Sequence, residues 1–130
     1  MINSKVIAVD FDGTIVEHKY PTLGKEIPFA IDTLKMLQAD GHIIILWTFR
    51  SGKELNEAVE FCSSRGLVFY AINKNYPEEV FVDSISRKIN ADIYIDDKNI
   101  GGMHSWGEIY NIISGKEIVK KKRNIHFYRF

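Results

Sequence analysis

Lys5-Val6-Ile7-Ala8-Val9-Asp10-Phe11-Asp12-Gly13-Thr14 is the stretch on which the fold turns. Val6 to Val9 is a short apolar run of β-formers, and Asp12-Gly13 is a turn signal behind it. A run bounded in this way reads as a buried strand entering a turn. Strand alternation then sets Asp10 and Asp12 on one side and returns Phe11 to the core. Gly13 permits the tight turn that follows.

The same punctuation repeats outward from this strand. Ala30, Ile31, Leu34 and Leu37 recur at helical spacing between Pro28 and Gly41, which suit a helix's first turn and its end. His42 to Trp47 is a second apolar strand ending at Thr48. Leu55, Ala58, Val59 and Cys62 mark a second helix, closed by Gly66. Leu67 to Ile72 and Asp92 to Ile95 read as a third and a fourth strand, the latter running into Asp96-Asp97. Trp106, Ile109, Tyr110 and Ile113 predict a last helix before Gly115. Near-continuously apolar strands alternating with amphipathic helices predict an α/β fold: a three-layer, doubly wound, mainly parallel sheet covered on both faces. Residues 14–27 and 73–91 are its two long irregular connections. Ile125 to Phe130 is a candidate fifth, edge strand.

Composition bounds the reading. The chain has 130 residues, 45% hydrophobic and 26% charged, which is one globular domain's worth. It holds no apolar run of the ~20 residues that span a bilayer. The N-terminus lacks a small-residue cleavage site, and the single cysteine, Cys62, has no internal partner. A cytoplasmic setting is the default expectation. Formal net charge is zero, which argues against a dedicated nucleic-acid binder. The zero is a cancellation, however. Residues 116–130 carry six Lys and Arg against one Glu, leaving eleven against sixteen in 1–115.

Ligands of open α/β sheets bind at the carboxyl ends of the strands. Here those ends carry Asp10 and Asp12, Thr48, and Asp96 with Asp97. Two acidic pairs converging on one edge repel each other and call for a hard cation, most simply Mg²⁺. Asp10 and Asp12, two residues apart, are suited to divide nucleophilic attack and proton transfer. The four histidines show no metal-ligand spacing, and Cys62 lies on an apolar helix face.

In these motifs the chain resembles the haloacid dehalogenase superfamily of phosphohydrolases. Asp10, Asp12, Gly13 and Thr14 match the first signature, and the strand ending at Thr48 matches the second. Lys88 matches the third, and Asp96-Asp97 the fourth, in the family's order. Trp47-Thr48-Phe49-Arg50 and the segment Ala91 to Asp97 resemble a small bacterial and phage group of hydrolases within it. The resemblance implies a Mg²⁺-dependent phosphomonoesterase. Asp10 would be the nucleophile, forming an aspartyl-phosphate, and Asp12 the general acid and then base. Mg²⁺ would be held by the Asp10 carboxylate, the Asp12 backbone carbonyl and the pair Asp96 and Asp97, Asp97 more directly and Asp96 through water. Thr48, Lys88 (or adjacent Arg87), backbone amides around Gly13 and the helix start after Ser51 would hold the phosphoryl oxygens.

Many relatives carry a substrate-selecting cap, for which neither irregular stretch is long enough. An open site follows, suited to a bulky substrate or to closure by a second copy. Arg50 is read either as a substrate contact or as a cap on the sheet edge. His18, Lys19, Tyr20 and Lys25 lie on the first loop, from which they could reach a substrate. Asn73 and Asn75 read as turn residues before Pro77. The expected substrate is a phosphorylated small molecule. The alternatives are a polynucleotide-end phosphatase using the basic tail, and a non-enzymatic phospho-receiver or binding module.

Overall fold

Residues 3–115 are described by the computed structural model. Strands β1 (Val6–Val9), β2 (Ile43–Leu46), β3 (Ala71–Ile72) and β4 (Ile93–Ile95) form one sheet in the order β3-β2-β1-β4. Every pairing is parallel: Ile7 lies opposite Ile44 on one side and Ile93 on the other. Helices α1 (Ala30–Ala39), α2 (Gly52–Ser63) and α3 (Trp106–Ser114) complete the elements. Among the described residues no helix is long and apolar enough to cross a membrane.

The winding runs β1, β2, β3 in one direction and then returns to place β4 on the other side of β1. That reversal makes the β1/β4 crevice a switch point, where strand ends open toward a ligand. The third strand pairs over fewer residues than the apolar run predicts. Leu67 and Phe69 are buried but Val68 and Tyr70 are exposed, and the ladder to β2 begins only where the Tyr70 N–H meets the Ile44 carbonyl.

Strand alternation sorts the core into two sides. Ile7, Val9, Ile44, Leu46 and Ile95 pack with Leu34 and Leu37 of α1, Ala58 and Cys62 of α2, and Trp106, Ile109 and Ile113 of α3. Ala8, Ile45 and Ala71 face the opposite side and bury Ile89. Both faces are covered, as apolar strands require, but among the described residues all three helices share one face. The second layer is the irregular 73–91 segment, which lacks helical periodicity and contains Pro77. Side chains take over the work that helix hydrogen bonds would do. Asn75 Oδ1 accepts the Asn90 N–H at 2.8 Å, joining the two ends of the segment. Buried Glu79 accepts the N–H and side-chain amide of Asn75, and the Tyr94 hydroxyl donates to the Ile89 carbonyl.

Local signals explain the helix ends. Ser105 and Glu108 form a reciprocal capping box at α3, and Gly115 closes it with φ 78°. The Glu26 carboxylate accepts the Ile31 N–H at the start of α1. The proposed edge strand at 125–130 and the basic tail lie outside the described residues.

Candidate functional site

The turn after β1 is built on Phe11. Its ring is fully buried, edge-on to Phe61 at 6.2 Å, and its carbonyl accepts the N–H groups of Thr14, Ile15 and Val16. Asp10 stays in the sheet direction through its N–H to the Ile95 carbonyl, 2.9 Å away. This anchors the first acidic residue beside the end of β4, from which Asp96 and Asp97 emerge.

Thr14 binds the two strand ends together. It is fully buried, its hydroxyl lies 3.2 Å from Asp10 Oδ2, and the same oxygen accepts the Asp97 N–H at 3.1 Å. The Thr14 carbonyl accepts the buried Trp106 indole N–H from α3 at 3.0 Å. Thr14 belongs to the quoted signature, yet sequence reasoning gave it no role. A threonine after Asp-x-Asp-Gly is the only local hint, and the Trp106 contact spans 92 residues.

Asp10, Asp96 and Asp97 each place a carboxylate oxygen within 4.8 Å of the others. Oxygens at ~2.0–2.6 Å from one hard cation fall about that far apart. Burial, then the charge of Asp96, pushes Asp10 up from 3.8 to about 7, with Asp97 adding to the rise. Such a cluster is disfavoured as three bare anions and favoured around a cation, so the donor set fits a divalent metal ion.

Gly13 makes room for this. It has φ 85°, and a Cβ there would lie 2.2 Å from Asp97 Oδ2 and 2.7 Å from its Cγ. Gly13→Ala is expected to lower the melting temperature by about 5 °C, from the left-handed backbone alone. It is also expected to abolish any stabilisation by divalent cations, because Asp97 must move. Thermal melts with and without Mg²⁺ check both effects.

Asp12 does not join the cluster. Its two oxygens receive Arg50 Nε and Nη2, both at 2.8 Å, in a side-on pair. Arg50 donates its remaining N–H groups to the carbonyls of Thr22, Pro21 and Glu54. All five guanidinium donors are thereby used, and the residue is 1% exposed. The hydrogen bond to Asp12 raises the guanidinium above its ordinary range against the opposing effect of burial. The structure therefore corrects two expectations. Arg50 has no donor left for a substrate and is not a plain sheet-edge cap. The Asp12 charge is offset by Arg50 rather than by a cation among the other carboxylates.

Thr48 sits half-buried at the end of β2. Its N–H donates to Asn73 Oδ1 at 2.8 Å, and its hydroxyl oxygen accepts the Arg50 N–H at 3.1 Å. The hydroxyl proton remains for another acceptor. Asn73, held at φ 56°, thus fixes the Thr48 loop, while Asn75 braces the 73–91 segment. The Ser51 side chain makes no cap bond at α2, leaving the first-turn N–H groups uncapped. Lys88 is exposed, with Nζ 5.2 Å from the Tyr94 ring centre. It lines a cleft of about 550 Å³ together with Arg87, Trp47, Tyr94, Asn99 and Asp96. Cations from the 73–91 segment and one carboxylate of the acidic cluster therefore share one opening. Tyr20 stacks over Arg50, and Lys25 is exposed on the returning arm of the loop, where its carbonyl accepts the Glu17 N–H.

No family model matches the chain. No curated protein matches it either. Among solved structures, that of a conserved protein coded by a locus of Bacteroides thetaiotaomicron is 52% identical, with a TM-score of 0.84. The match covers 98% of this chain and 100% of that one.

Proposed function

The chain belongs to the same family as this conserved Bacteroides thetaiotaomicron protein, and from the geometry of its own site we propose that it is a Mg²⁺-dependent phosphomonoester hydrolase of the haloacid dehalogenase type. One observation carries the reading: three carboxylates from two adjacent strand ends gather within 4.8 Å of one another. They do so at the switch point of a parallel sheet, beside a cleft that carries Lys88 and Arg87.

The chemistry assigned to each residue follows from its place. An Asp10 oxygen attacks phosphorus in line as the ester P–O bond breaks. Asp12 leaves its ion pair with Arg50, takes up a proton from water and passes that proton to the leaving oxygen. Water then attacks the aspartyl-phosphate, giving its proton to Asp12 while the bond between Asp10 and phosphorus breaks. Bound among Asp10, Asp96 and Asp97, Mg²⁺ would neutralise charge spreading over the phosphoryl oxygens. Lys88 would add a positive charge and the Thr48 hydroxyl a hydrogen bond to the phosphoryl oxygens. Between turnovers the Arg50 pair holds Asp12 in place.

A panel of phosphomonoesters assayed with Mg²⁺ and with EDTA tests this. Turnover with Mg²⁺, lost on chelation and reduced at least a thousand-fold in Asp10→Asn, is the expected result. Wild-type turnover in Asp10→Asn would remove the nucleophile from the scheme.

A further inference from the structure

Phe49 stands between Thr48 and Arg50 with 87% of its surface exposed. Tyr20 of the first loop meets it edge to face, ring centres 5.8 Å apart and planes at 73°. The pair is held from beneath. Tyr20 lies 5.2 Å from the Arg50 guanidinium, which donates to the carbonyls of Pro21 and Thr22, the two residues after Tyr20. Arg50 is itself buried, with every donor used. Two rings thus meet beside Thr48, one of them presented almost wholly to water.

The chemistry of an open ring face narrows what it fits. Its flat area and negative face complement another flat, electron-poor ring, whereas an aliphatic chain gains area alone. Phe49 adjoins Thr48, so such a ring would lie next to a phosphate held by Thr48. Neither loop is long enough to fold into a cap, so recognition of the leaving group falls to rim residues.

We propose that Tyr20 and Phe49 form a stacking platform for a planar heteroaromatic ring, making nucleotide-like phosphomonoesters the preferred substrates. This rests on the phosphatase reading above and extends it to the substrate class. The ring is supplied equally by a free nucleotide or by the end of an oligonucleotide.

The test compares adenosine 5′-monophosphate, a 5′-phosphorylated single-stranded oligonucleotide and glycerol 3-phosphate. Hydrolysis and calorimetric binding are measured with Mg²⁺ for wild type, Phe49→Ala, Phe49→Leu and Phe49→Trp. A wild-type preference for the ring-bearing esters of about ten-fold or more in kcat/KM is expected, the scale of one stacked base. Alanine and leucine should erase that preference, and tryptophan should keep it. Tighter turnover of the nucleotide or of the oligonucleotide identifies which source the platform serves. Binding of adenosine 5′-monophosphate that needs a ring at position 49, without hydrolysis, supports the platform and overturns the phosphatase reading. Hydrolysis with no ring preference, or with a preference that survives Phe49→Leu, overturns the platform alone. Neither binding nor hydrolysis overturns both. A change confined to oligomeric state in Phe49→Ala also overturns the platform, assigning the rings to contact between copies.

Discussion

Arg50→Met is expected to lower the melting temperature by about 10–20 °C, and Arg50→Lys to recover little of that loss. The Arg50 side chain is 0% exposed, and that of its partner Asp12 is 11% exposed. Removing one member of a buried pair typically costs ~3–5 kcal/mol, because the other charge remains without its counter-ion. Three backbone carbonyls, those of Pro21, Thr22 and Glu54, lose their donors at the same time. Lysine keeps the charge but offers donors from a single atom. It cannot span Asp12, the first loop and the first turn of α2 together. The loss should be local before it is global, so proteolysis within residues 17–25 should accelerate in both variants at temperatures where each is still folded. A cycle with Asp12→Asn isolates the pair: Arg50→Met should cost markedly less in that background. A lysine variant melting within about 2 °C of wild type would show that the five-bond network is dispensable.

That network also marks where the sequence stops being readable. β1, β2 and the three helices are legible because each is declared by local patterning: apolar runs such as Ile43 to Leu46, or the i, i+3, i+4 offsets of Leu55, Ala58 and Val59. The acidic cluster is legible for a related reason. Parallel strands carry their C-terminal residues to one edge, so Asp10, Asp96 and Asp97 need only the topology to meet. Arg50 and Asp12 are 38 residues apart, and nothing in the pattern of either stretch declares the other. A lone arginine after a strand-end threonine reads equally well as a ligand contact. The 73–91 cover is opaque for a different reason. It buries Ile89 and Glu79 through asparagine and tyrosine hydrogen bonds, which leave no period in the sequence.

Asp10→Asn should make the metal-free protein more stable above pH 7 while removing its response to divalent cations. Burial and the neighbouring Asp96 raise the Asp10 carboxyl from 3.8 to about 7. Below pH 3.8 the group is protonated whether the chain is folded or unfolded, and the raised value costs nothing. Between pH 3.8 and about 7 the unfolded chain has released a proton that the folded chain still holds. Stability therefore falls with rising pH across that window and stays low above it. Asparagine carries no such proton, so its stability should lack this fall. Discounted for the part of the carboxylate that still meets solvent, the difference at pH 8 is on the order of 2 kcal/mol, or a melting temperature about 5–10 °C higher. At pH 4 the two proteins should melt nearly together. Mg²⁺ should then reverse the order at pH 8. It stabilises a fold that presents three carboxylates, and Asp10→Asn leaves only two of the three. Melts of both proteins at pH 4, 6 and 8, with and without Mg²⁺, read all of this at once. Parallel pH profiles in the metal-free melts would place the Asp10 charge in solvent rather than in the crevice between β1 and β4. A site that is costly when empty and favourable when filled would explain why half-buried carboxylates stand where an apolar strand end would pack more stably.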